Sequence, residues 1–352
     1  MIHDRIRRAR VLRGLSLEAL AQSLGDISKQ GLSKFEKGEA APNSTRILQL
    51  SNALKVKPEY FFRSDVVTLA PLEFRKLAKM PKYRQGQVEE QMREHLERYI
   101  ALESCFDAAD VRIPPAAARA FPVTSVDSAE SAANQLREMW ETGGDAIANL
   151  TQLLEEHGIK VALLDGQDDF DGACAATHDE QHVLIALNAT RPGERMRFTA
   201  AHELGHWIMA LPDSMPEKVK EACCHRFAGA FLYPADQVVV DFGGHKRSRV
   251  HPAELLNAKR RYGISMQVAL RRLKDLNLLS EAGYKSIFIQ FSQYGWRSAE
   301  PEPLRPERPR RFESLVFWGL AEDLFSPSRA AEFLQRRIDE LDPALRGLAE
   351  HE

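Results

Sequence analysis

Two histidines stand four residues apart, with a glutamate directly after the first, in Phe198-Thr-Ala-Ala-His202-Glu203-Leu-Gly-His206. No other feature of the chain constrains its fold as much. On a helix, residues i and i+4 share a face, so both imidazoles can reach one metal ion. Ala201, Leu204 and Ile208 supply a buried side, and Gly205 lets a second element come close. The pattern predicts a helix over 191–210 that carries a zinc site. Zinc takes nitrogen ligands at ~2.0–2.1 Å and usually four ligands in all, and a catalytic zinc keeps one position for water. A third protein ligand is therefore required. Glu203 lies one residue round from His202, near the metal but directed at that water, which suits a general base.

The next helix, expected at 216–232, is the donor of the third ligand. Its Glu221, Cys224 and His225 stand at i, i+3 and i+4 and share a face. Any of the three can bind zinc. Glutamate completes the two-His, one-Glu set suited to hydrolysis. Cys224 is otherwise a small buried apolar residue, and His225 an auxiliary group beside the metal or facing a substrate. Glu217, near the helix start, is accounted for by the helix dipole. His225, Tyr233 and His245 are candidates for stabilising an oxyanion, and nothing in the sequence picks among them.

The rest of the chain bounds the setting. A length of 352 residues points to two or three domains, since single cores seldom grow past ~250 residues. The balance of 44% hydrophobic and 28% charged residues is that of an ordinary globular protein. No apolar run approaches the ~20 residues that span a bilayer. The first residues are charged and lack the apolar core of a secretory signal. Four cysteines without a spaced framework fit a reducing cytosol, so a cytoplasmic protein is expected. Residues 1–62 hold eleven Lys and Arg against six Asp and Glu, while the whole chain carries −2. A basic end on an acidic body points to a polyanion as partner.

Caps and periodicity divide the chain. Over 5–62, short helical segments carry Ile6 and Ala9, then Leu20 and Leu24, then Leu32 and Phe35, then Ile47, Leu50 and Leu54. Ser16 and Ser28 can cap two of them, and Gly14, Gly25 and Gly38 end three. A long helix is expected at 87–102. Pro114-Pro115 and Phe121-Pro122 mark a linker, and two further helices fill 128–157. The period then changes. Segments 159–164 and 182–188 read as strands, and a helical pair covers 251–279. Residues 286–291 read as a strand. Pro301, Pro303, Pro306 and Pro309 mark an exposed connector to terminal helices at 312–348. The expected fold class is α+β, predominantly α. The expected domains are 1–62, a helical linker 63–127 with a possible dimer element in 87–102, a metal-bearing domain 128–285 with a small sheet, and an extension 286–352.

Two resemblances follow from these residues. Arg197-Phe-Thr-Ala-Ala-His-Glu-Leu-Gly-His206, with Glu221-x-x-Cys-His-x-Phe-Ala-Gly-Ala-Phe-Leu-Tyr-Pro234, resembles the ImmA/IrrE family of zincin-like bacterial metallopeptidases. Phe170-Asp171-Gly172 and Leu187-Asn188 match as well. The resemblance implies zinc ligands His202, His206 and Glu221, with Glu203 as the catalytic carboxylate. The chain departs from the family in having Cys224-His225 where Ala-Asn is usual, which keeps both as rival or auxiliary ligands. Family members cleave proteins, often repressors, so peptide hydrolysis is implied.

Residues 5–62 resemble the XRE helix-turn-helix family through Arg5-x-x-Arg8, Gly14-Leu15-Ser16, Leu20-Ala21-x-x-Leu24-Gly25, Leu32-Ser33-Lys34-Phe35-Glu36-Lys37-Gly38 and Pro42. The resemblance implies double-stranded DNA as partner and a recognition helix at about 29–37. Lys29, Gln30, Ser33 and Lys34 are placed toward base edges. Ser16, Ser28, Asn43 and Arg46 are placed toward phosphates. Phe74-Arg75-Lys76, Leu96-Glu97-Arg98-Tyr99, Leu136-Arg137-x-x-Trp140, Asn149 to Gly158, Tyr262 to Leu273 and Glu300-Pro301 are similar to fused regulators of both families. The expected function is a homodimeric DNA-binding regulator with a zinc-dependent peptidase domain. It would cleave itself or a partner regulator in response to a stress or metal signal. The alternative is a non-enzymatic repressor, or an antitoxin with a toxin partner, whose zinc is structural or occluded.

Overall fold

The structure, a computed structural model, describes residues 1–63, 67–70, 80–165 and 169–341. The chain parts into two compact units, Met1–Ser104 and Cys105–Glu352. It is α+β and mostly helical. No helix among the described residues is long and apolar enough to cross a membrane.

The first unit holds α1 (Ile2–Leu12), α2 (Leu17–Leu24), α3 (Lys29–Lys37), α4 (Ser44–Leu54), a 3-10 turn at Pro58–Phe62 and α5 (Lys82–Glu103). The caps set the helix starts. Ser16 accepts from the Ala19 amide at 3.0 Å, Ser28 from Gly31 at 3.2 Å and Asn43 from Arg46 at 2.8 Å. Left-handed Gly25 and Gly38 stop α2 and α3. Ile6, Ala9, Leu20, Leu32, Leu50 and Leu54 form the core with Tyr60 and Phe61. The Arg10 guanidinium grips both oxygens of Glu36 at 2.6 and 2.8 Å, tying α1 to α3.

The segment of α5, expected in the linker, packs along α1 within this unit. Its inward face is ionic. Arg5 donates to Glu97 at 2.6 Å, and Arg8 donates to Glu97 at 2.7 Å and to Glu90. Arg5 is 1% exposed and Glu97 7%. Two of the eleven cations counted over 1–62 are thus buried inside the fold. Phe74-Arg75-Lys76 lies outside the described residues.

The second unit runs α6 (Ala108–Val111), β1 (Phe121–Pro122), α7 (Val126–Met139), α8 (Leu150–Glu156), β2 (Ile159–Leu164), β3 (Gly172–Ala176), β4 (Val183–Asn188), α9 (Gly193–Ile208), β5 (Met209–Ala210), α10 (Glu217–Leu232), α11 (Ala235–Phe242), α12 (Pro252–Tyr262), α13 (Met266–Asp275), α14 (Glu281–Gln293), α15 (Arg311–Ala321) and α16 (Pro327–Leu334). The order in the main sheet is β2-β4-β3. β2 runs parallel to β4 with Ile159 opposite Val183, and β3 runs antiparallel to it with Gly172 opposite Leu187. The central strand is buried throughout, as its unbroken apolar run requires. α9 packs on β3 and β4, and α10 packs between α9 and α7.

Asn188 ends the central strand and turns the chain toward α9. It donates to the Phe170 carbonyl at 2.7 Å and accepts from the Thr190 amide at 2.9 Å. Asp171 accepts from Arg191 at 2.8 Å and from Arg195 at 2.7 Å. The two short matches, Phe170-Asp171-Gly172 and Leu187-Asn188, therefore form one device that aims the histidine helix.

Two expectations are corrected. Residues 286–291 lie within α14 and form no strand, because Ser280 caps a helix whose Ile287 and Phe291 are buried one turn apart. Their aromatic and β-branched run imitates a strand. Phe121-Pro122, read as linker, pairs with Met209–Ala210 as a short parallel ladder. The proline-rich connector is exposed along most of its length and is tied down through its carboxylates. Glu300 accepts from the Met266 and Gln267 amides at 2.7 and 3.0 Å and from Lys259 at 3.2 Å. Lys259, fully buried, also donates to Glu194 at 2.6 Å. The Gly193 amide donates to the Leu304 carbonyl at 2.9 Å, and Glu307 pairs with Arg197. A Cβ on Gly193 would sit 2.4 Å from the Arg305 carbonyl oxygen, so only glycine lets this strap cross the start of α9. The terminal helices are α15, α16 and a 3-10 turn at Ile338–Glu340, and residues from 342 on lie outside the described ones.

Candidate metal centre

α9 and α10 create the centre by close approach. A Cβ on Gly205 would meet the Phe227 ring at 3.0 Å, so glycine brings α10 onto the histidine face of α9. His202 and Glu203 are both nearly buried, at 4% and 5% exposure, while Cys224 is fully buried and His225 exposed.

The donors converge. His202 Nε2 lies 3.2 Å from His206 Nε2 and 3.4 Å from Glu221 Oε2. His206 Nε2 lies 3.3 Å from Glu221 Oε1. Ligands at ~2.0–2.1 Å from a tetrahedral zinc stand about 3.3–3.4 Å apart, so these atoms have the spacing of three vertices around one ion. Two imidazoles and a carboxylate also give the mixed nitrogen and oxygen set of hydrolytic zinc sites. The residues fit the metal.

The remaining candidates stand around this triangle. The Cys224 thiol joins His202 and His206 in one group whose donor atoms lie within 4.8 Å, and His225 joins His202 and Glu221 in another. The His225 ring packs edge-on to His202 with centroids 4.6 Å apart, beside Phe198 at 5.9 Å. Its Nδ1 is 2.7 Å from the Glu221 carbonyl. A carbonyl only accepts, so Nδ1 carries a proton and Nε2 is the nitrogen left for other contacts. Tyr233 drops out as an oxyanion donor. It is fully buried and donates to Asp241 at 2.7 Å; burial first, and then that hydrogen bond, hold its phenol far above the usual range. His245 lies outside both donor groups among the described residues.

α7 and α13 hold α10 in place. Glu130 of α7 accepts from Arg226 of α10, and from Arg272 of α13 at 2.6 and 3.0 Å. Sequence reading did not single out Glu130. Its isolated negative charge on a polar helix face looks like an ordinary solvated residue.

On the first unit, Lys29, Gln30 and Lys34 are exposed along α3 and Ser33 is half-buried. Lys29 approaches Glu18 at 4.0 Å, with both side chains 58% exposed. Ser16, Ser28 and Asn43 spend their side-chain acceptors on helix caps. Arg46 donates to Asp26 at 2.6 Å and is held over the turn before α3. α3 thus offers an exposed polar row that begins at its own Ser28-capped N-terminus, whose amides carry partial positive charge.

Comparison with known proteins bears on both units. A helix-turn-helix family model matches residues 6–61, and the peptidase M78 model, described as an IrrE N-terminal-like domain, matches residues 154–274. The chain is 38% identical over 65 residues to the HTH-type transcriptional regulator y4wC of Sinorhizobium fredii, covering 18% of this chain and 45% of that protein. It is 33% identical over 63 residues to the SPbeta prophage-derived HTH-type transcriptional regulator YonR of Bacillus subtilis, covering 18% and 57%. The chain spans about half the length of these curated relatives. The solved structure of ComR from S. thermophilus in complex with DNA and its signalling peptide ComS is 15% identical over 95% of this chain and 99% of that one. The TM-score between the two is 0.19.

Proposed function

We propose, on the premise that this chain joins an XRE-type helix-turn-helix domain to an IrrE-like metallopeptidase-family domain, that it is a DNA-binding transcriptional regulator whose second unit is a zinc-dependent peptidase. The peptidase acts on the chain itself or on a partner regulator when a stress or metal signal arrives. The observation that carries this reading is the convergence of His202, His206 and Glu221 at 3.2–3.4 Å with Glu203 buried beside them.

In this reading His202, His206 and Glu221 hold the metal. When bound, zinc supplies a Lewis acid that polarises a scissile carbonyl and lowers the pKa of water toward ~7. Glu203 takes the proton of the attacking water and delivers it to the leaving amine nitrogen. Its burial excludes bulk water and keeps the proton on that route. His225, exposed and with Nε2 left for other contacts, would donate to a developing oxyanion in its imidazolium form.

The first unit reads DNA through α3. Gln30 suits adenine, while Lys29 and Lys34 suit guanine or phosphate. A homodimer on two half-sites follows from the usual symmetry of such readers. The reading is tested by adding zinc to the purified chain. EDTA-sensitive cleavage accompanied by release from DNA supports it, and zinc uptake with neither effect counts against it.

One observation supports a second reading. The Cys224 thiol shares a donor group with both histidines, so a Cys-containing set could close the fourth position and make the zinc structural. The chain would then be a non-enzymatic repressor, or an antitoxin bound by a toxin.

A further inference from the structure

We infer that the cleft beside the metal cluster is a subsite for one large apolar side chain of an extended peptide, next to the bond to be cut. The inference rests on the peptidase reading above. The cleft encloses about 500 Å³, within the ~300–1,000 Å³ of pockets that take organic groups. Glu221 and His225 belong both to its lining and to the donor cluster. A chain lying across the donors therefore drops a neighbouring side chain straight into it.

The wall is apolar. Phe198 comes from α9, Ala222 from α10, Val268 from α13, and Tyr284 and Phe288 from α14. All five are half-buried, so apolar surface stays wet until something covers it. The cations at the floor are already matched. Arg226 and Arg272 donate to Glu130, and Arg271 donates to Asp275 at 2.8 Å. The floor therefore asks for no anion, and selection falls to shape and apolarity.

Charge adds a direction. Lys218 is an exposed cation of the lining that lies outside these pairs. It favours an acidic residue beside the inserted side chain. The occupant is thus a peptide with a leucine or phenylalanine next to a glutamate or aspartate. Tyr284 and Phe288 lie outside the residues 154–274 matched by the IrrE-like model, so part of this wall is contributed from beyond that match.

The test uses the full chain with Glu203→Gln, zinc-loaded and metal-free, and short fluorescein-labelled peptides. These differ only in Gly, Leu or Phe beside a fixed Glu. Fluorescence anisotropy should show the Leu and Phe peptides binding about tenfold tighter than the Gly peptide, the scale on which apolar pockets discriminate. Phe288→Ala and Val268→Asp should collapse that preference with zinc content and circular dichroism unchanged. Lys218→Glu should weaken all three peptides. Equal binding of the three, or a preference that survives both wall variants, would overturn the inference. If the preference persists but the unmutated zinc-loaded chain cuts neither these peptides nor itself, the peptidase reading fails and the cleft stands as a peptide-binding site only. If it cuts the Gly and Phe peptides equally and binds them equally, the subsite fails and the peptidase stands.

Discussion

His206 Nε2 and Glu221 Oε1 lie 3.3 Å apart, although one ends α9 and the other opens α10. With His202 they have the spacing of three vertices of the proposed zinc site. Glu221→Ala should lower zinc affinity by more than the ~10–100-fold that follows loss of a group merely supporting a ligand. Cys224→Ser should leave it nearly unchanged. Competition with a chromogenic chelator measures both. The reverse ranking would make Cys224 the third ligand.

The recognition helix predicts two separable effects on DNA. Lys34→Ala should weaken binding to every duplex and lower the slope of log affinity against log salt by about one. Gln30→Ala should instead relax base preference at one position, by about 1–3 kcal/mol. Binding isotherms across several salt concentrations distinguish them. Affinity untouched by both variants would remove α3 as the reader.

The ionic face between α1 and α5 predicts a stability effect. Glu97 accepts from both Arg5 and Arg8 in a buried setting. Glu97→Ala should destabilise the first unit by about 3–5 kcal/mol, because it leaves buried guanidinium groups uncompensated. Urea unfolding followed by DNA binding and circular dichroism measures it. A loss under about 1 kcal/mol, the scale of an exposed ion pair, would contradict the account.

His182 predicts a pH dependence of the second unit. Burial pushes its imidazole down to about 4, and the charges of Lys160 and Arg112 act in the same direction against Asp179. The folded state therefore binds this proton less readily than the unfolded chain, whose histidine titrates near 6.5. The contribution is fully present above pH ~6.5 and is lost as pH falls toward ~4. Thermal unfolding across that range should show His182→Gln with a flatter profile than the parent. Identical profiles would assign the acid sensitivity elsewhere.

Local spacing made the histidine helix legible, and the same was true of the caps at Ser16 and Ser28 and of α3. Each needs only residues within one or two turns. The partners of Arg5 and Arg8 were not legible. Glu90 and Glu97 lie more than eighty residues away, on a helix whose charges read as a solvated face. The strap across α9 was hidden for the same reason, since Glu300 and Glu307 look like charges in a proline-rich connector until Lys259 and Arg197 are placed against them. The apolar wall on α14 was missed because Ile287-Phe288-Ile289 imitates a strand. Only the buried pair Ile287 and Phe291, one turn apart, betrays the helix. The five donors of the metal cluster were foreseeable as candidates, but their ranking depends on how closely α10 approaches α9.

The central claim is that Glu203 serves a metal-dependent hydrolytic centre. The most direct measurement incubates the zinc-loaded chain and its Glu203→Gln variant, alone and with a peptide library, and follows products by mass spectrometry. The account predicts cleavage by the parent that EDTA abolishes, and none by a variant that holds the same amount of zinc. Full cleavage by Glu203→Gln, or zinc uptake by the parent with no cleavage of any peptide or of itself, would contradict it.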